Sequence, residues 1–207
     1  DSDGSKPTPL MATDRDQWYA QGSDGRIVDW RDGSDGKVLM TRNYAFEKAS
    51  VNKVARTQSG LGVDLMDSRT GKVEHVEAPD EITSRYIADG QGHIRIKSVD
   101  EGLRYDHVST GRSTYLYRLA GSKAWCPFST SASANSTGLR PSAVDRTIDA
   151  ADAIQKLNGR NAVYRVALDG TMKTDLVASD PSPVPARCSR AAAAARRLER
   201  PAVGCLL

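Results

Sequence analysis

Val163-Tyr-Arg-Val-Ala-Leu-Asp-Gly-Thr-Met-Lys-Thr-Asp-Leu-Val177 decides how the chain is read. Two runs rich in apolar and β-branched residues flank Asp169-Gly170, and Asp-Gly between such runs is a strong hairpin signal because glycine accepts the positive φ of a tight bend. Two other stretches have the same form. Val63-Asp-Leu-Met-Asp-Ser-Arg-Thr-Gly-Lys-Val-Glu-His-Val-Glu77 bends at Thr70-Gly71, and Tyr115-Leu-Tyr-Arg-Leu-Ala-Gly-Ser-Lys-Ala-Trp-Cys-Pro-Phe-Ser129 bends at Gly121. The bend glycines lie 50 and 49 residues apart. A fixed period of that size is the mark of a repeat architecture.

Each hairpin is preceded by a second strand-like segment. Ile27-Val-Asp-Trp-Arg-Asp-Gly-Ser-Asp-Gly-Lys-Val-Leu-Met40 precedes the first, and Arg85-Tyr-Ile-Ala-Asp-Gly-Gln-Gly-His-Ile-Arg-Ile-Lys-Ser-Val99 the second. Pro141–Asp145 and Asp152–Ile154 give a weaker signal before the third. Ile94 and Ile96 alternate with Arg95 and Lys97, the period-two pattern of a strand with one buried face. Four antiparallel strands per unit of this length are what a β-propeller blade contains. The expectation is therefore an all-β chain: an incomplete β-propeller of about three four-stranded blades over residues 25–180. A poorly defined segment precedes it (1–24), and a Pro/Ala/Arg-rich tail (181–207) follows as a short helix or without structure. A β-sandwich whose strands recur by coincidence is the alternative.

Composition agrees with short strands and many turns, since Gly (17) is frequent while Phe (2) and Trp (3) are few. The net charge of +3 is a property of the tail. Residues 181–207 hold Arg187, Arg190, Arg196, Arg197 and Arg200 against Glu199, a net +4 that leaves −1 for residues 1–180. Nucleic-acid binding is not expected, because basic residues and stacking aromatics are not interleaved along the body of the chain. Ser189 could cap a helix through the alanines, but Leu198 is nearly its whole apolar face. The tail reads as a non-native end from out-of-frame translation of GC-rich sequence.

Cys126, Cys188 and Cys205 form neither a disulfide framework nor a zinc-spaced pair, so no metal and no cofactor are expected. No apolar run approaches the roughly 20 residues of a membrane span. The chain reads as soluble, cytoplasmic or periplasmic, with no membrane partner. It opens on Asp1 without an initiator Met, so an export signal further upstream would not be visible in it.

Other candidate signals have bland readings. Asp29, Asp32 and Asp35 with Gly33 and Gly36 crowd carboxylates in the manner of a calcium loop, but the twelve-residue pattern with its terminal Glu is missing, and turn formation is the reading taken. Gly60-Leu-Gly62 is too short for a dinucleotide fingerprint. Tyr115, Tyr117 and Trp125 are read as packing residues of strands.

Asp29-Trp-Arg-Asp32, Val38-Leu-Met-Thr-Arg-Asn43, Gly60-Leu-Gly-Val-Asp64 and Arg69-Thr-Gly-Lys-Val73 resemble the N-terminal propeller of bacterial prolyl-oligopeptidase-family serine peptidases, the dipeptidyl aminopeptidase and acylaminoacyl peptidase group. Arg118–Trp125, Pro127–Thr130 and Ala162–Gly170 are similar to later blades of it. The resemblance spans roughly residues 25–180 and implies a parent hydrolase with a propeller cap and an α/β-hydrolase domain. Peptides would be the partners, reaching a buried triad through the propeller.

The chain departs from that plan, having no Gly-x-Ser-x-Gly nucleophile elbow. His75, His93 and His107 fall in or near repeat strands, away from any such serine. No catalytic, cofactor-binding or metal residue is assigned, and the chain is expected to hydrolyse nothing alone. The alternative function is a free-standing interaction propeller of the TolB kind. Three blades would leave open sheet edges, with self-association as the consequence.

Overall fold

The computed structural model describes residues 25–31, 33, 35–44, 58–101, 110–132 and 137–179. The expectations for 1–24, 181–207, Asp32, His107, Cys188 and Cys205 lie outside the described residues. The chain divides into two compact units, Asp1–Ile82 and Thr83–Leu207.

The first unit holds one antiparallel sheet whose strands follow in chain order: β1 (Arg26–Asp29), β2 (Lys37–Tyr44), β3 (Gly60–Asp67) and β4 (Val73–Asp80). β2 and β3 pair without interruption from Lys37 opposite Asp67 to Tyr44 opposite Gly60. Because successive side chains alternate between faces, this register gathers Val38, Met40 and Met66 into an apolar cluster, with Ile27 and Val73 packed against it. Burial of each such side chain is worth about 1.5–3 kcal/mol. Gly60 has φ +113°, and a Cβ there would stand 2.3 Å from the carbonyl carbon of Asp80. Any side chain would push the start of β3 away from the end of β4.

The second unit holds two further sheets. One runs β5 (Thr83–Ala88), β6 (Ile94–Asp100), β7 (Arg112–Tyr117), β8 (Cys126–Ala132), again in chain order. The other runs β9 (Arg140–Asp145), a 3-10 turn (Arg146–Ile148), β10 (Ala150–Leu157), β11 (Arg160–Ala167) and β12 (Thr174–Ser179). Asn158 and Gly159 (φ +52° and +81°) close the β10–β11 hairpin as a two-residue bend, the positive-φ turn that matches strand twist.

One core unites these two sheets: Ile96, Tyr117 and Phe128 from the first with Ala151, Ala153, Val166 and Leu168 from the second. Tyr117 and Phe128 meet edge to face, ring centroids 6.2 Å apart. The first strands of the two sheets, β5 and β9, lie beside each other.

Each of the three sheets is therefore an open, four-stranded antiparallel meander. The three hairpins and the segments before them fall where the glycine spacing puts them. The weak segment around Asp152–Ile154 is the middle of an eight-residue strand, β10, whose residues 150–154 are all buried. Short alanines obscured it, since they carry little strand propensity of their own.

The alternation at 94–97 does not mark a solvent face. Arg95 is 4% exposed, donating from Nε to the Arg118 carbonyl (3.0 Å) and from Nη2 to Asp149 Oδ1 (2.6 Å). It thereby ties the two sheets of this unit together.

Candidate functional site

An aspartate ends the first strand of two sheets, Asp29 of β1 and Asp145 of β9, and Asp89 directly follows the first strand of the other, β5. The Asp29 carboxylate accepts from the Arg31 amide at 2.7 Å, Asp89 from those of Gln91 and His93 at 2.9 and 3.1 Å, and Asp145 from that of Thr147 at 3.0 Å. Carboxylates that bond the backbone two residues ahead start turns without help from the rest of the fold. Asp67, the last residue of β3, accepts in the same way from Arg69 and Thr70, and Asp169, two residues past the end of β11, from Thr171. The Arg69 and Thr70 amides hold the Asp67 carboxyl below its ordinary range, and the Thr171 hydroxyl, then its amide, do the same for Asp169. Backbone donation to Asp35 from Lys37, with Arg31 beside it, does the same there. Asp29 and Asp35 are thus turn formers, as the sequence reading took them.

The densest polar grouping lies in the first sheet. Asp64 is 2% exposed; its Oδ2 accepts from Tyr44 Oη at 2.5 Å and its Oδ1 lies 2.8 Å from His75 Nδ1. Arg42 Nη1 is 4.0 Å from Oδ2, and its guanidinium stands 5.6 Å from the Tyr44 ring centroid. β2, β3 and β4 each supply a member. The strand register places Asp64 opposite Met40 on one side and His75 on the other.

Burial, then the hydrogen bond and charge of Asp64, raise the Tyr44 phenol far above its usual value. The phenol is held as a proton donor and is no nucleophile. His75 has Asp64 and Tyr44 as its partners, and His93, in the β5–β6 bend, has Asp89. Neither meets a serine or cysteine.

The second unit's counterpart is Asp152, 5% exposed on β10, which accepts from Arg165 Nε and Nη2 at 3.1 and 3.0 Å across the β10–β11 pair. Of the aromatic residues, Tyr117 is in the core. Tyr115 is half-buried, its hydroxyl 3.3 Å from Ser131 Oγ. Trp125, in the bend before β8, lies under the Arg118 guanidinium at 3.8 Å and 5.2 Å from Lys97 Nζ. Gly60-Leu-Gly62 opens a strand.

Among the described residues no three His, Cys, Asp or Glu side chains gather as metal ligands, and no helix is long and apolar enough to cross a membrane. No family model, curated protein or solved structure matches the chain. Chemically, the described side chains provide buried, hydrogen-bonded carboxylates and firmly capped bends. They do not bring together a nucleophile, a base and an oxyanion donor.

Sequence reasoning did not find the Tyr44–Asp64–His75 grouping, which depends on strand register. It also passed over the equivalence of Asp29, Asp89 and Asp145. That signal was available as an aspartate at the end of each first strand or directly after it.

Proposed function

We propose that the chain is a run of β-propeller blades that serves as the peptide-admitting cap of a serine peptidase of the prolyl-oligopeptidase kind. The observation that carries this reading is the closeness of β5 to β9, first strands of two different sheets, because first strands of successive blades meet around the axis of a propeller. Three sheets of identical strand order, each opened by an aspartate-capped strand, add weight to it. Such a cap selects by size: extended peptides pass its channel and folded proteins do not. The capped bends and bonded carboxylates suit that task, since a sieve needs rigid walls and no chemistry of its own.

The test has two parts. Purified chain offered chromogenic dipeptides is expected to release no product, and turnover that a fluorophosphonate blocks would overturn the assignment. The coding sequence around the chain is expected to encode a Gly-x-Ser-x-Gly hydrolase domain. Flanking sequence that completes a ring of blades without one would favour a free-standing interaction propeller.

A further inference from the structure

The two-residue bend between β10 and β11 is Asn158-Gly159, the one Asn-Gly pair in the chain. Leu157 opposite Arg160 is the last pair of the ladder, so both bend residues stand outside it. Both are exposed, and a Cβ added at Gly159 would meet nothing within 4 Å. No neighbouring group crowds the peptide bond that joins them.

Other bend glycines follow an aspartate instead. Asp89, before Gly90, accepts from the Gln91 and His93 amides, and Asp169, before Gly170, accepts from the amide and hydroxyl of Thr171. An ionised carboxylate engaged in this way resists a nucleophile through its own charge. The Asn158 carboxamide is neutral, and asparagine is among the thermally labile residues.

We infer that Asn158-Gly159 is a site of spontaneous covalent modification, at which the bend ages from asparagine to aspartate and isoaspartate. The Gly159 amide nitrogen gives its proton to a solvent base and attacks the carboxamide carbon of Asn158. The new C–N bond closes a five-membered succinimide as the Cγ–Nδ2 bond breaks, and Nδ2 departs as ammonia after taking up a proton. Water then opens the ring at either carbonyl, its hydroxyl going to carbon and its proton to nitrogen. Opening at Cγ leaves aspartate in an ordinary main chain. Opening at the main-chain carbonyl leaves isoaspartate, whose main chain runs through Cβ and Cγ. Glycine favours the attack because it has no side chain to hinder its own nitrogen.

Isoaspartate lengthens the main chain by one atom in a bend whose two positive-φ residues fit the strand twist. The pairing of Leu157 with Arg160 should therefore loosen. The buried residues of β10, 150–154, lie toward the other end of the strand, so the sheet should persist. None of this depends on the propeller reading, since one hairpin suffices for it.

The test is incubation of the full chain in mildly alkaline buffer, with and without urea. Peptide mapping by mass spectrometry and methylation by an isoaspartyl methyltransferase read the product. Isoaspartate is expected at position 158 of the folded chain, forming within about tenfold of the rate in urea, because opening an exposed bend costs little. Asn158→Gln should lower the yield at this position about tenfold or more, since its longer side chain closes a ring less readily. Asn43 and Asn161, held within β2 and β11 and followed by Tyr44 and Ala162, should stay intact in the folded chain. Aged chain should exchange the Arg160 amide faster than fresh chain. A folded chain that stays unmodified at position 158 would overturn the inference, as would equal reaction at Asn43 or Asn161, or a yield that Asn158→Gln leaves unchanged.

Discussion

Asp64 and Asp152 are carboxylates at the centres of two sheets, each almost wholly removed from water, and they are held in different ways. Asp152 faces a guanidinium, which keeps its charge at every accessible pH. Asp64 rests on a phenol and an imidazole, with the nearest guanidinium nitrogen at 4.0 Å. One sheet meets the demand of a buried charge with a permanent countercharge, the other with hydrogen bonds, one of them from a phenol whose proton burial and Asp64 hold to higher pH. The first arrangement fails when its partner is deleted. The second also depends on the solution around it.

The largest effect is expected from Arg165→Ala. It strands a buried carboxylate and should lower stability by about 3–5 kcal/mol in urea unfolding. Replacing both partners, Asp152→Leu with Arg165→Met, should recover most of that loss, because an apolar pair of similar volume needs no countercharge. If the double variant is no more stable than the single one, the charge is not the cause.

Tyr44→Phe should cost about 2 kcal/mol, less than loss of Arg165, since His75 still serves one oxygen of Asp64. His75→Gln should cost under about 1 kcal/mol, because the imidazole is 69% exposed and water replaces part of what it gives. Equal effects of the three single changes would erase the contrast between the sheets.

The pH dependence separates the two carboxylates further. The folded protein keeps the Tyr44 proton to higher pH than the unfolded chain does. The stability this contributes is complete below about pH 10, the unfolded value, and is lost as pH rises from there through the folded value. Alkaline unfolding should therefore be shallower in Tyr44→Phe and unchanged in slope in Arg165→Ala.

The smallest effect is expected at the bends. Asp67 and Asp169 titrate low in the folded state, so their contribution is complete above about pH 4 and fades as pH falls below it. Thermal melts of Asp67→Asn and Asp169→Asn from pH 5 to pH 2 should show a slightly flatter acid limb than the parent chain.

Strands and bends were legible in the sequence because they obey local rules. Gly71, Gly121 and Gly170 mark the hairpins, and Asp89-Gly90 marks the bend before β6, since each supplies a backbone conformation or turn bond that needs no distant partner. The sheet-to-sheet core was partly hidden. Ala151 and Ala153 are chosen for the space they leave, and a run of alanines gives no alternating signal.

Arg95 misled the period-two reading because its partners, Arg118 and Asp149, come from distant stretches of chain. The Tyr44–Asp64–His75 grouping was illegible for a related reason. It exists only once β2, β3 and β4 take their register, and the β3–β4 pairing is irregular on the side of Asp64 toward Val63.

The strict chain order of the strands within each sheet has a kinetic consequence. Every strand pair forms between neighbours in sequence, so loop closures are short and each sheet can assemble before the next has been synthesised. Growth on the ribosome would then proceed sheet by sheet, with the Arg95–Asp149 bond able to form only after the third sheet begins to emerge.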